Sequence, residues 1–160
     1  MTYSEEVNST NEIDVNMGEC KVINGESQQY LKTDGLGPCV GVAIVIETPD
    51  GRVHRLLGHI IMEERPRQSF TELKDCIKII RSNTKDSIIS IEITLVTNSS
   101  YRNRTALTVD EKKLLNILLK SFETIKYQDI KFKYSQQVQI SPDGVISTSF
   151  RNKKEIEVEK

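Results

Sequence analysis

The chain contains few side chains suited to nucleophilic chemistry: three cysteines, Cys20, Cys39 and Cys76, and two histidines, His54 and His59. A cysteine attacks a carbonyl carbon as its thiolate, and at neutral pH it needs a nearby base such as imidazole to remove its proton. A cysteine without such a base is usually a small buried hydrophobe. The placement of each cysteine relative to the histidines therefore decides which one is a candidate nucleophile.

Cys39 is the cysteine that this criterion selects. It ends a loop in which Gly35 and Gly37 allow the backbone to approach a ligand closely, because glycine has no Cβ. Both histidines follow on the next predicted strand. Cys20 lies in a polar leader and Cys76 lies in an amphipathic helix with no histidine nearby in sequence. We interpret these two cysteines as structural or incidental.

The elements that must position Cys39 form a predicted β-hairpin. Residues 40–46 are apolar and rich in β-branched side chains, which is typical of a buried strand. The sequence Thr48-Pro49-Asp50-Gly51 is a strong turn signal, because proline presets φ and glycine adopts the left-handed conformation. Residues 52–62 then return as the partner strand.

The turn sets the register of this hairpin. If Thr48 pairs with Arg52 around a type I turn with a glycine bulge, Cys39 lies opposite Ile61, and His59 is its diagonal neighbour on the same sheet face. Diagonal partners lie about 7–8 Å apart at the backbone, within reach of side chains that lean together. The sequence therefore predicts His59 as the base.

His54 is kept as the fallback base. In the same register it pairs with Ile46, which lies seven residues from Cys39 in the sequence. That separation corresponds to roughly 23 Å at ~3.3 Å per residue, and His54 faces the opposite side of the sheet. A bulge or a one-residue slip in the hairpin would reverse these faces and favour His54 instead.

The residues around Cys39 resemble a known active-site signature. The string Thr33-x-Gly35-Leu36-Gly37-x-Cys39-Val40-Gly41-Val42 is similar to that of CheD, the bacterial chemoreceptor glutamine deamidase. The later His59-Ile60-Ile61-Met62 resembles the family's histidine and the apolar run after it. The cytotoxic necrotizing factor toxins, which deamidate a host glutamine, use a similar Cys–His hairpin. The resemblance covers residues 28–62 well and continues more weakly to about residue 150.

The resemblance implies a catalytic triad. Cys39 would attack the amide carbon to form a thioester, His59 would move the protons, and Thr33 would orient the imidazole. The backbone amide of Cys39 and those of the neighbouring loop would stabilise the oxyanion. The loop residues concerned are Gly35, Leu36 and Gly37.

The implied activity is cysteine-dependent deamidation of a glutamine side chain in a target protein. The chain would then act either in chemotaxis or as a bacterial effector or toxin. Two alternatives stay open. A non-catalytic CheD-like module would bind receptor tails or a regulatory protein partner. The same Cys–His pair would also support transglutamination, in which an amine rather than water resolves the thioester.

The rest of the sequence predicts an α+β domain with mixed or antiparallel sheets, a sandwich-like core and two flanking helices. Residues 1–20 are expected to be a flexible leader, 21–150 the CheD-like domain, and 151–160 a charged tail. A capping box from Thr108 to Glu111 is expected to start the second helix. The other predicted elements are an extended segment at 28–32, a helix at 69–83, and strands at 88–97, 130–134, 138–140 and 145–150.

Composition excludes several classes of function. The 22 lysines and arginines nearly balance the 23 aspartates and glutamates, so no strong field favours nucleic acid or an anionic membrane. No apolar run approaches the ~20 residues of a membrane span. The odd number of cysteines argues against a disulfide framework and for a reducing compartment. We therefore expect a cytoplasmic protein, or alternatively an effector delivered into a host cell, with no metal or cofactor.

Overall fold

The protein was analysed as a computed structural model that describes residues 11–62, 67–84, 88–98 and 108–148. Within these ranges the chain forms an α+β fold with two α-helices and strands in two sheets, as predicted. The strands are β1 (Glu12–Asp14), β2 (Cys20–Ile23), β3 (Tyr30–Thr33), β4 (Val40–Glu47), β5 (Val53–Ile60), β6 (Ser90–Thr97), β7 (Ile130–Tyr134), β8 (Val138–Ile140) and β9 (Ile146–Ser147). The helices are α1 (Gln68–Ser82), α2 (Val109–Ser121) and a short 3₁₀ turn at Tyr127–Asp129.

The β4–β5 hairpin lies inside a five-stranded sheet with the order β2-β5-β4-β6-β7. The amide of Thr48 donates to the carbonyl of Arg52 at 3.1 Å, as the turn signal predicted. Gly51 has a φ of 83°, the left-handed conformation that the turn requires. The resulting register pairs Ile46 with His54 and confirms the predicted alignment of the hairpin.

A second, four-stranded sheet with the order β1-β3-β8-β9 covers one face of the larger sheet. Alternate residues of β4 and β5, such as Ala43 and Leu57, pack there against Leu31 and Val138 of the smaller sheet. The other face of the larger sheet packs against α1 and α2 in a separate apolar cluster. The order of layers is therefore small sheet, large sheet, helices.

Both helices bury the apolar faces that the sequence predicts. In α1, Phe70, Leu73, Ile77 and Ile80 are buried at helical spacing. The predicted capping box of α2 is present: the Thr108 hydroxyl accepts from the Glu111 amide at 3.1 Å, and the Glu111 carboxylate accepts from the Thr108 amide at 2.7 Å. These two bonds satisfy amides that have no partner inside the helix.

The predicted flexible leader at 1–20 is wrong for residues 12–20. Strand β1 pairs in parallel with β3, and Val15 is 2% exposed in the core between the sheets. Cys20 begins β2, which pairs with β5. A three-residue strand has too little pattern to be recognised locally, because its stability comes from pairing with residues distant in sequence. Residues 1–10 and the tail at 151–160 lie outside the described ranges.

The final predicted strand, at 145–150, is observed as the shorter β9, and its last two residues lie outside the described ranges. The helices of the described segments are all too short or too polar to cross a lipid bilayer.

Candidate active site

Three residues from distant parts of the sequence form a buried hydrogen-bonded chain. The Thr33 hydroxyl, on β3, lies 2.6 Å from the carbonyl oxygen of Val15 and 2.8 Å from Nδ1 of His59 on β5. Thr33 is 3% exposed and His59 is 2% exposed, so water does not compete for these bonds. The structure thus brings together two of the three predicted triad residues.

The directions of these bonds fix the tautomer of His59. A carbonyl oxygen can only accept, so the single hydroxyl proton of Thr33 is donated to Val15. The contact with His59 must then be an Nδ1–H that donates to the Thr33 oxygen. A neutral imidazole protonated on Nδ1 carries its lone pair on Nε2. This nitrogen is buried and has no hydrogen-bond partner among the described residues.

The backbone of His59 is held by the segment that precedes β2. The amide of Gly18 donates to the His59 carbonyl at 2.8 Å, and the amide of His59 donates to the Glu19 carbonyl at 2.9 Å. Together with Val15, this segment therefore fixes both the main chain and the ring of His59. Sequence analysis missed these contacts, because residues 15–19 were assigned to the leader and backbone acceptors leave no signature in residue types.

Burial favours the neutral form of His59. Removal from water lowers the pKa of the His59 imidazole below its usual value, and the carboxylate of Asp34 partly offsets this effect. A neutral imidazole with a free lone pair can accept a proton, so the pKa shift and the hydrogen-bond pattern support the same role.

Cys39 precedes β4 and packs in the core between the sheets, on the face that His59 shares. The first pairs of the ladder are Val40 with Ile60 and Gly41 with His59, which makes Cys39 and His59 diagonal neighbours, as predicted. Cys39 as a whole is 4% exposed. Among the residues that the structure describes, Nε2 of His59 has no hydrogen-bond partner, so it does not accept a hydrogen bond from the thiol in this conformation.

Leu36 and Val138 cover the space beside this pair. A Cβ built on Gly41 would lie 3.1 Å from Cγ1 of Val138 and 3.4 Å from Cδ1 of Leu36. Leu36 is fully buried. Glycine at position 41 therefore lets both side chains lie directly against β4 at the residue that pairs with His59.

The loop before Cys39 is shaped by its glycines. Gly35 and Gly37 have φ values of 62° and 48°, which side chains with a Cβ rarely adopt. The Leu36 amide donates to the carbonyl of Gln136 at 3.0 Å, and the Cys39 amide donates to the Leu36 carbonyl at 2.6 Å. In this conformation both amides are therefore engaged, and each would have to leave its carbonyl before it could stabilise an oxyanion.

His54, the fallback base, lies far from Cys39. It pairs with Ile46 near the turn and faces the helices, on the opposite side of the sheet. Its nitrogens contact Asn24 Oδ1 at 3.2 Å and Thr48 Oγ1 at 3.4 Å. Burial lowers the pKa of its imidazole. The ladder between β4 and β5 runs without a bulge. His54 therefore stays on the face of the sheet opposite Cys39 and is not placed to act as its base.

A cluster of three or more side chains suited to hold a metal ion is absent from the part of the chain that the structure describes. No protein-family model matches the sequence, and neither does any curated protein.

Proposed function

We propose that the protein is a cysteine-dependent deamidase that acts on glutamine side chains of a target protein. The observation that carries this proposal is the chain Val15–Thr33–His59, which leaves the lone pair of Nε2 buried, with no partner in the described part of the chain, on the face that Cys39 shares. A histidine that only filled space would gain nothing from a fixed tautomer and would leave a buried acceptor unsatisfied at a cost of about 1–3 kcal/mol.

The proposed reaction has two stages. Nε2 of His59 takes the thiol proton as the Cys39 sulfur bonds to the amide carbon, and the imidazolium then gives that proton to the departing nitrogen as ammonia leaves. Water attacks the resulting thioester while His59 accepts a proton from it. Breakage of the C–S bond then yields the carboxylate and regenerates the thiol. Thr33 stabilises the imidazolium in both stages through its contact with Nδ1.

Substrate entry requires the Leu36 loop to move. Leu36 lies against Gly41, which is two residues from Cys39 and pairs with His59, and the Leu36 carbonyl accepts the Cys39 amide. Displacement of Leu36 would expose the thiol and at the same time release the Cys39 amide to donate to a tetrahedral oxyanion. The same movement of this loop would therefore admit the substrate and free the backbone amide that stabilises the oxyanion.

Mass spectrometry of glutamine-containing proteins and peptides tests the activity. Incubation with the wild-type protein is expected to add about one mass unit to selected glutamines and to release ammonia, whereas Cys39→Ser should do neither. Cys76→Ser is the matched control, because it changes a buried thiol on the other side of the sheet. Hydroxylamine added as a competing nucleophile should convert the thioester to a hydroxamate, which also tests the capacity for transglutamination.

A non-catalytic binding module is the second candidate, and the 4% exposure of Cys39 favours it. Reactive cysteines are usually partly exposed, whereas buried ones are inert. Identical spectra for wild type and Cys39→Ser across the glutamine library would support this alternative. A receptor tail or a regulatory protein would then be the ligand rather than a substrate.

The resemblance of residues 33–42 and 59–62 to CheD supports a protein substrate and a bacterial setting. We propose either a chemotaxis enzyme of the cytoplasm or an effector that deamidates a host protein. Deamidation of purified chemoreceptor fragments and of host proteins by the same preparation distinguishes these two settings.

A further inference from the structure

The two remaining cysteines meet on the helix side of the larger sheet. The Cys76 thiol, on α1, donates to the carbonyl oxygen of Cys20 on β2 at 3.2 Å, across 56 positions of sequence. The residues are 8% and 7% exposed for Cys20 and Cys76, and neither forms a disulfide. The two side chains also interact with each other through a hydrogen bond between the thiols, which brings the sulfurs together.

The Cys20 side chain lies against the backbone of β5. Cys20 pairs with Gly58, and a Cβ built on that glycine would lie 3.3 Å from the Cys20 Sγ. Any larger residue at position 58 would displace this sulfur. The sequence therefore provides a small residue at the one position of β5 against which the Cys20 sulfur packs.

The two thiols also differ chemically. A hydrogen bond from the Cys20 thiol lowers the pKa of Cys76, while burial and the carboxylates of Glu72 and Asp75 act in the opposite direction. The same hydrogen bond, with burial, raises the pKa of Cys20. Because the thiolate is the form that is oxidised, Cys76 would react first and Cys20 second.

We propose that Cys20 and Cys76 form an oxidative modification site, at which a small hydroperoxide converts the thiol pair into an intramolecular disulfide. Because both cysteines are buried, we choose a small oxidant of the size of hydrogen peroxide as the reactant. The site lies on the opposite face of the sheet from Cys39, so its oxidation does not consume the proposed nucleophile.

The chemistry balances in two steps. The Cys76 thiolate attacks one peroxide oxygen, so that an S–O bond forms and the O–O bond breaks, and the departing hydroxide takes up a proton to become water. The Cys20 sulfur then attacks the sulfenic sulfur as it loses its proton, so that the S–S bond forms and the S–O bond breaks with release of a second water. The two thiols lose two electrons, and these reduce the peroxide.

The disulfide would join α1 to β2, the strand that pairs with the base-bearing β5. Glu19, the neighbour of Cys20, accepts the backbone amide of His59, and Gly58 is the residue before His59. Oxidation would therefore fasten this edge of the sheet to the helix layer. A cross-link that closes so long a loop also restricts the unfolded chain and should raise the melting temperature by roughly 10 °C.

Treatment of the folded protein with a small excess of hydrogen peroxide, followed by non-reducing proteolysis and mass spectrometry, tests the proposal. The expected result is a loss of about two mass units and a single cross-linked pair of peptides containing Cys20 and Cys76, reversed by dithiothreitol. Cys39→Ser should form the same cross-link, and the melting temperature of both proteins should rise on oxidation.

Cys76→Ala and Cys20→Ala are the matched variants, each checked for folding by circular dichroism. Both should lack the cross-link and the rise in melting temperature. Cys76 recovered as a sulfinic or sulfonic acid with no cross-linked peptide would overturn the proposal, as would a cross-link that includes Cys39. The readout is independent of deamidation, so the two proposals stand or fall separately.

Discussion

Replacement of Thr33 by valine removes the hydroxyl that fixes the His59 tautomer while it keeps the volume of the side chain. The Val15 carbonyl and the Nδ1–H of His59 each lose a hydrogen-bond partner in a buried site. Each buried group left unpaired costs about 1–3 kcal/mol, so with two such groups we expect Thr33→Val to lower the free energy of unfolding by roughly 2–6 kcal/mol. Thr33→Ser keeps the hydroxyl and loses one methyl group, which costs about 1 kcal/mol.

The same pair of variants separates orientation of the base from simple packing. Loss of one hydrogen bond worth about 1.4 kcal/mol should slow the alkylation of Cys39 about tenfold in Thr33→Val, whereas Thr33→Ser should react nearly as fast as wild type. Urea unfolding gives the stabilities, and site-resolved mass spectrometry of iodoacetamide labelling in the absence of denaturant gives the rates. Equal stabilities and equal rates for the two variants would refute the assigned hydrogen-bond directions.

Three further outcomes follow from the contacts of the site and of the fold. Leu36→Ala should cost about 2–5 kcal/mol of stability and accelerate alkylation of Cys39. The control Leu114→Ala, equally buried among the helices, should destabilise the protein without this selective acceleration. Similar labelling of Cys39 in the two variants would argue against Leu36 as the side chain that covers the site. Because burial lowers the pKa of both histidines, the unfolded chain binds more protons below the ordinary value of 6.5, and the free energy of unfolding should fall as the pH drops through this window. Its slope is at most about 1.4 kcal/mol per pH unit for each histidine and should diminish in His59→Gln, and urea titrations that show no slope would contradict it. Thr108→Ala should cost about 1 kcal/mol in the same assay through loss of the helix cap, and an unchanged midpoint would show that the cap contributes nothing.

The sequence was sufficient to predict the hairpin and its register. The turn from Thr48 to Gly51 has a residue type for each required backbone conformation, and this turn sets the pairing, because the apolar run before it is buried on both faces. Because the side-chain period of a strand is two, this register also determined that His59, and not His54, shares a face with Cys39. In this hairpin, the conformations that the turn residues prefer and the tertiary packing of the two strands specify the same register.

The rest of the site depended on contacts between distant segments. Val15 and Glu19 act through backbone carbonyls, which every residue possesses, so their residue types gave no indication of a role. The availability of the Leu36 and Cys39 amides could not be predicted either, because it depends on how the loop folds back on itself and on the carbonyl of Gln136. Such features follow from tertiary packing and carry no periodic signal.

Arg55 is another feature that sequence analysis did not anticipate. Its guanidinium is fully buried, and Nη1 donates to the carbonyls of Gln29, Ile140 and Ser141. Nε and Nη2 have no hydrogen-bond partner among the described residues, and burial lowers the pKa of this side chain. Arg55 is the one arginine in a mostly buried strand, β5. Its residue type gave no indication that the four-stranded sheet would bury it.

The rate of Cys39 alkylation as a function of pH, compared between wild type and His59→Gln, tests the proposed pairing of thiol and imidazole most directly. If Nε2 of His59 accepts the thiol proton, iodoacetamide should modify Cys39 of the wild type well below pH 8, and the substitution should reduce the rate at pH 7 by about tenfold or more. If Cys39 is modified at the same rate in both proteins, or only after unfolding, then His59 does not activate it and the proposed chemistry is contradicted.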